Sequence, residues 1–319
     1  MANYKYNHFI SKFYLKWFSF QKESNWKYNE SCYYWDFLKN PTWDLSKKNI
    51  SSPKKIGWEN YIFNKLQFEN WEKNYQPELE IFFSKQENNF SRLFKSIDDS
   101  LKCFKNKKDI ENLYRLSLND KELLCDFIRF QLYRSNAVSV NLHNKIENSI
   151  NQILNSREII DRFWINQINS LRNDKELTES LLHNSKLEIH KYFLKWDKLT
   201  NLLINRGWYL LYITKKNKSF ITGDFPIYRL NSSWEPNWMA YESTEIIFPI
   251  SSNVCLIIHW NKPESWKIIM KNNFYIKRIN GMTLWNSRKI VVCNNLKLLK
   301  KMMHWKKNNS SNLYPANKR

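Results

Sequence analysis

The segment 207–230 reads GWYLLYITKKNKSFITGDFPIYRL, and the fold that we predict for the chain is built around its pattern. Its first part is rich in aromatic and β-branched residues, which is typical of a packed strand. The polar segment 215–218 and the short apolar segment after it predict a turn and a second strand, so we expect a β-hairpin. Gly223 and Pro226 then interrupt regular pairing, and they place Asp224 at a strand end, where functional side chains often project.

Two interpretations of Asp224 are open from these residues. It either accepts hydrogen bonds from its own backbone in an Asx-type turn, or it contributes a carboxylate to a functional site. The local sequence taken alone favours the turn.

The composition indicates a folded protein, because 16% of the residues are aromatic. The length of 319 residues suits one large domain or two small ones. No run of about 18 apolar residues occurs, so we expect no transmembrane helix and no membrane partner. The N-terminus is too polar and aromatic for a secretory signal. The five cysteines contain no CxxC pair and predict reduced core thiols in a cytoplasmic protein.

The charge of +21 is concentrated at the C-terminal end, which suits a polyanionic partner such as RNA or DNA. Residues 261–319 hold 14 Lys and Arg against one acid, which is +13 of the +21. A basic helix is predicted for 296–307, and we expect its nucleic-acid contacts to come from Lys300, Lys301, Lys306 and Lys307. The alternative is codon bias, since 42 Asn and abundant Lys are typical of an AT-rich genome.

The segment 7–18, NHFISKFYLKWF, predicts a helix that is capped by Asn7 and apolar on one face. His8 would then lie at the helix N-terminus, where the dipole favours the neutral imidazole that accepts protons or binds metals. The alternative is a histidine that only packs or bonds to backbone.

Two longer helices carry further polar candidates. The helix that starts at Pro77 holds Glu80 and Glu87 seven residues apart, on one stripe, where two carboxylates could bind a cation or share a proton. An ordinary solvated face is the alternative. The helix 120–137 embeds Gln131 and Arg134 in apolar sequence, and a buried Arg needs an anionic partner, namely Glu80, Glu87 or a ligand.

These elements predict an α+β fold with a central helical bundle and a C-terminal antiparallel sheet. We expect one domain over 1–293, helical over about 74–205 and β-rich over 207–293, followed by a basic helix and tail over 294–319. The further predicted elements are strands at 31–38, 243–250, 253–260 and 289–293, and helices at 57–66, 278–287 and through most of 141–205. No phosphate-binding loop, zincin or α/β-hydrolase motif occurs in the sequence.

Six segments, taken in order, resemble a bacterial family known as domain of unknown function 4238 over about residues 7–293. They are His8-Phe-Ile with Tyr14-Leu15-Lys-Trp-Phe18, Glu80 with Glu87, Gln131-Leu-Tyr-Arg134, Trp208 followed by Phe220-Ile-Thr-Gly223-Asp224-Phe-Pro226, Phe248-Pro249-Ile-Ser251, and Ile279-Asn280. One departure is Gly223, where the family pattern leads us to expect serine. The resemblance implies no activity, but it groups polar residues from separate elements into one pattern.

Three hypotheses about function follow. In the first, the protein is a metal-dependent nuclease or related hydrolase, and His8, Glu87, Arg134 and Asp224 meet in one pocket. Glu87 and Asp224, with Glu80, would bind Mg²⁺ or Mn²⁺, His8 would act as a base or ligand, and Arg134 would bind a phosphate. In the second, the protein is a non-catalytic nucleic-acid- or protein-binding effector, for example in defence against phage. In the third, Gln131 and Arg134 tie Glu80 and Glu87 into a buried network that fixes helix packing.

Overall fold

Helices and antiparallel strands both form the fold of this protein, which is of the mixed α+β class that the sequence predicts. The structure is a computed structural model of the 319-residue chain. It describes residues 6–8, 10–24, 27–39, 50–56, 58–60, 65–69, 72–76, 78–103, 116–134, 148, 152, 180, 183–185, 198–213, 218–230, 245–259 and 273–313.

Local sequence explains where the helices begin. Pro77 precedes α2, and Ser117 forms a capping box with Asp120, because each backbone N–H donates to the other side chain at 3.1 Å. The Oδ1 atom of Asn295 accepts from the Leu298 N–H at 3.0 Å and caps the last helix. The helices in the described part of the chain are α1 (Lys12–Lys16), α2 (Glu78–Cys103), α3 (Leu118–Arg134), α4 (Lys198–Ile204), α5 (Asn273–Asn286) and α6 (Leu296–Leu313), with a 3-10 turn at Pro53–Lys55.

The strands pair only in antiparallel fashion within the described residues. They are β1 (Tyr6–His8), β2 (Phe20–Ser24), β3 (Lys27–Asp36), β4 (Ile50–Ser51), β5 (Trp58–Asn60), β6 (Lys65–Glu69), β7 (Glu72–Gln76), β8 (Gly207–Tyr212), β9 (Thr222–Gly223), β10 (Tyr228–Leu230), β11 (Glu245–Pro249), β12 (Val254–His259) and β13 (Ile290–Cys293). One sheet has the order β10-β11-β12-β8. A second has the order β2-β3-β13-β9 with β4 beside β3, and β1 pairs with β5 and β6 with β7.

The predicted hairpin over 207–222 is wrong, because its two strands belong to different sheets. Strand β8 pairs with β12, whereas β9 pairs with β13. The pairing partners are chosen by burial rather than by proximity along the chain: Trp208, Leu210 and Leu211 in β8 are buried against the apolar strand β12. Asp224 therefore follows a two-residue strand of the second sheet.

Two other local predictions also fail. The segment 57–66, predicted as a helix, contains strand β5 and the beginning of β6. His8 does not begin a helix: it ends β1, opposite Trp58, and α1 begins at Lys12. Since pairing with β5 extends the chain up to His8, the expected effect of a helix dipole on this histidine is lost. Most of 141–205, predicted helical, lies outside the described residues.

An aromatic cluster joins the helices to the first sheet. The ring centroids of Phe94 in α2 and Phe127 in α3 are 4.9 Å apart in an edge-on arrangement. Phe248 of β11 lies 5.5 Å from Phe127 and 5.6 Å from Tyr14 of α1. Such pairs contribute beyond the area they bury, so this cluster fixes α1, α2 and α3 against β11.

Helix α6 packs on the second sheet. Leu299 and Met303 of α6 share a buried cluster with Trp35 of β3 and Val291 of β13. Thus the basic C-terminal segment begins as a helix with one firmly buried side.

The cysteines are free, as predicted, and four of the five are buried; Cys103, at the end of α2, is exposed. Among the residues described, no helix has the length and apolar character needed to cross a membrane.

Candidate functional site

Asp224 is fully buried at the turn that connects α5 to β13. Its Oδ1 atom accepts hydrogen bonds from the backbone N–H groups of Arg288 at 3.0 Å and Ile290 at 3.2 Å. Its own N–H donates to the Ile290 carbonyl at 3.2 Å. Burial raises the pKa of this carboxyl group, and the surrounding backbone N–H groups oppose that effect. The side chain thus holds together two segments 64 residues apart in the chain.

Gly223 lets the backbone come close to the end of α5. A Cβ atom at this position would overlap the Ser287 hydroxyl oxygen and lie 2.8 Å from the Ile290 carbonyl oxygen. The Ser287 hydroxyl, which donates to the Thr283 carbonyl at 2.7 Å, occupies the space that a side chain at 223 would need. This close approach explains why glycine stands where the family pattern predicts serine.

Lys306 lies beside Asp224, on the buried side of α6. Its Nζ atom donates to the carbonyls of Leu284 at 2.9 Å and Ser287 at 3.2 Å, and it lies 3.9 Å from the ring centroid of Phe37. A cation at these carbonyls complements the C-terminal end of α5. Burial lowers the pKa of Lys306 to about 8, while the charge of Asp224 acts in the opposite direction. The protein itself thus binds the ammonium group of Lys306.

Other residues of the family pattern form buried hydrogen bonds between elements. The Tyr14 hydroxyl of α1 lies 2.8 Å from Thr222 Oγ1 and donates to the Pro249 carbonyl at 2.6 Å. Gln131 Nε2 of α3 donates to Ser11 Oγ at 2.9 Å. These bonds tie α1 to α3, β9 and β11. The bond that the structure describes for Gln131 goes to Ser11, and the network in which Gln131 and Arg134 tie Glu80 and Glu87 together stays a prediction.

Asn280 of α5 extends the same pattern. Its Oδ1 atom accepts from the Ile221 N–H at 3.1 Å, and its Nδ2 atom donates to the Ser219 carbonyl at 2.9 Å. The Tyr228 hydroxyl donates to the Ile279 carbonyl at 2.7 Å. The residues that carry the resemblance therefore connect α5 to the segments on either side of β9.

Glu87 lies in a different environment from Asp224. It is half-buried on α2, and its negative charge raises the pKa of Lys12, although burial and the nearby Lys54 and Lys16 lower it overall. No described contact joins Glu87 to Asp224.

The side chains of His8, Glu80 and Arg134 lie outside the described residues, so the predicted four-residue pocket stays a prediction. In the part of the chain that the structure describes, no three His, Cys, Asp or Glu side chains are arranged to hold a metal ion.

A cavity of about 420 Å³, which we did not predict from the sequence, lies between Ser219, α5 and α6. Four lysines from three segments line it, namely Lys218, Lys277, Lys297 and Lys301. The sequence contained a signal for this site, because residues 273–313, which include α5 and α6, hold nine Lys and Arg and no acid. Only Lys301 of the four was among the predicted nucleic-acid contacts.

Comparison with protein families gives the class of this chain. The family model described as Protein of unknown function (DUF4238) matches residues 6–297. This chain belongs to that family, in agreement with the resemblance carried by its motifs. The comparisons with curated proteins and with solved structures found no match.

Proposed function

We propose that this protein binds nucleic acid through the phosphate backbone, using a basic face on α6 that consists of Lys297, Lys300, Lys301 and Lys307. The observation that carries the proposal is the division of α6 into two sides. Leu299, Met303 and Lys306 turn toward the protein, whereas Lys297, Lys301 and Lys307 are exposed and Lys300 is half-exposed. A docked helix presents these ammonium groups at fixed spacing, as phosphate contacts require.

Charge composition supports the same proposal. Codon bias can raise the number of lysines, but it does not by itself remove every acid from residues 273–313. A solvated helix without a partner gains from mixed charges, because opposite charges three or four residues apart stabilise it. The absence of acids along this segment favours a polyanionic partner.

The role of Asp224 follows from its surroundings. Its burial and its bonds to backbone N–H groups favour a structural role over contact with a substrate. A metal-dependent nuclease stays a prediction of the sequence. The test is to incubate RNA and DNA with wild-type protein and with His8→Ala in the presence of Mg²⁺ or Mn²⁺. If wild type cleaves the nucleic acid and His8→Ala does not, the protein is a nuclease and the proposal of binding alone is wrong.

The decisive experiment measures binding of a labelled single-stranded RNA and a DNA duplex by fluorescence anisotropy at several salt concentrations. For Lys300→Gln with Lys307→Gln, we expect weaker binding to both probes and a salt slope (log Kobs against log salt) shallower by about 1 for each lysine. The matched control is Lys85→Gln with Lys95→Gln, which removes equal charge from exposed positions on α2. Equal losses in the two pairs would mean that net charge alone attracts nucleic acid, and the proposal of a basic face would be wrong.

The five free cysteines support a cytoplasmic location as part of this proposal. A role in defence and a protein partner stay predictions, since no described contact bears on either.

A further inference from the structure

The cavity between Ser219, α5 and α6 has the size of a small-ligand site. Its volume of about 420 Å³ falls within the range of about 300–1,000 Å³ that is usual for such pockets. Its lining combines two kinds of surface, one cationic and one apolar, and each restricts the chemistry of a ligand.

The cationic surface consists of Lys218 from the segment before Ser219, Lys277 of α5, and Lys297 and Lys301 of α6. None of the residues that line the cavity is acidic, and no described carboxylate forms an ion pair with these lysines. Four lysines with no acidic residue among the lining side chains make the cavity electropositive, which favours a negatively charged ligand.

The apolar surface consists of Ile276, Leu298 and Met302. Each is partly buried and packs on one side against the hydrophobic core, so its remaining surface faces the cavity as a fixed wall. An inorganic anion gains nothing from such a wall, because it stays hydrated. A planar or apolar group attached to the anion would be removed from water there.

The walls of the cavity are held in place by hydrogen bonds. Asn280 connects α5 to the backbone at Ser219 and Ile221, and Asn295 caps the beginning of α6. The backbone around the cavity is therefore already ordered in the folded protein, and ligand binding requires little further loss of backbone entropy.

We propose that this cavity binds a nucleotide, whose phosphate lies among the four lysines while its base or sugar contacts Ile276, Leu298 and Met302. The nucleotide is either free or the terminal residue of a nucleic acid; the second case rests on the proposed function above. Lys297 and Lys301 belong to both the cavity and the basic face of α6, so a chain bound on that face could place its phosphorylated end in the cavity.

Calorimetry with adenosine monophosphate, inorganic phosphate and adenosine tests the cavity itself. We expect the nucleotide to bind at least tenfold more tightly than either fragment. In Lys218→Gln with Lys277→Gln, nucleotide affinity should fall at least tenfold, while the control pair Lys85→Gln with Lys95→Gln should keep it. Loss of nucleotide binding in the control pair as well, equal affinity of phosphate and nucleotide, or no binding by wild type would each overturn the proposal.

Anisotropy with 5′-phosphorylated and 5′-hydroxyl RNA separates the two sources of the nucleotide. If the cavity holds a chain end, the phosphorylated RNA binds more tightly, and Lys218→Gln with Lys277→Gln removes the difference. If RNA does not bind but adenosine monophosphate does, the proposed function fails and the free nucleotide is the ligand. If both RNAs bind equally and calorimetry detects no nucleotide, the cavity proposal fails and the proposed function stands.

Discussion

Replacing Asp224 tests whether its carboxylate holds the turn between α5 and β13 in place. Asp224→Ala removes the acceptor of the Arg288 and Ile290 N–H groups, and the Ile290 bond is buried while the Arg288 bond is part-buried. A buried donor that loses its partner costs about 1–3 kcal/mol. Counting both donors, and allowing for the relief of no longer burying a carboxyl group, we expect a loss of about 2–4 kcal/mol in the free energy of unfolding.

The variant Asp224→Asn is the matched control, because its side-chain oxygen can accept the same two hydrogen bonds. We expect it to stay within about 1 kcal/mol of wild type, which is near the net worth of one hydrogen bond. The assay is urea unfolding followed by tryptophan fluorescence, since buried Trp35 and Trp208 report on both sheets. Wild-type stability in Asp224→Ala, or equal losses in both variants, would refute the reasoning that Oδ1 holds the turn.

Three further predictions follow from the same network. Tyr14→Phe leaves the Pro249 carbonyl and the Thr222 hydroxyl without their buried partner, and it should lower the free energy of unfolding by about 1–3 kcal/mol. The control is Tyr275→Phe, at an exposed residue, which should leave the free energy of unfolding unchanged. Gly223→Ser should destabilise through overlap with Ser287 and close contact with the Ile290 carbonyl oxygen. Ser287→Gly in the same chain should restore only part of the stability, because the contact with Ile290 remains. Gly281→Ala, whose added Cβ would meet only the Trp305 ring at 4.0 Å, should be neutral or stabilising by up to about 1 kcal/mol. The pKa of Lys306 is lowered from 10.5 to about 8 on folding, so between these values the unfolded state binds more protons than the folded state. The free energy of unfolding of the wild type should therefore rise with pH across this window. Lys306→Met should show a smaller rise when urea unfolding is compared at pH 7.5 and pH 10.

Local sequence patterns predicted those elements whose structure is determined by residues close to each other in the sequence. The periodic apolar face of α2 and the continuous apolar runs of β11 and β12 each carry their signal within one segment, and this helix and these two strands were predicted in the right places. Strand pairing in the second sheet is different, since β3 and β13 are more than 250 residues apart. Nothing in 207–223 indicates that β9 has β13 as its partner, so proximity favoured a hairpin that does not form.

The site residues were identified in part, and the reason differs for each. The resemblance selected Tyr14, Gln131, Asp224 and Asn280, and each of these forms at least one buried hydrogen bond. A polar residue conspicuous in sequence has two explanations, ligand binding or satisfaction of buried backbone, and only geometry separates them. The cavity lysines were missed because Lys218, Lys277 and Lys297 come from separate elements with no common motif.

The charge of Lys306 does not reveal its role in α6, whereas its position on the helix does. By charge alone it is equivalent to Lys307, yet it lies three residues after Met303 and seven after Leu299, on the stripe that faces the protein. Its ammonium group caps α5 beside Asp224, and the same docking turns Lys297, Lys301 and Lys307 outward. The partly buried Lys306 thus orients the exposed lysines. The Asp224 turn, the end of α5 and the basic face of α6 form one structural unit, in which a polar network positions a cationic surface.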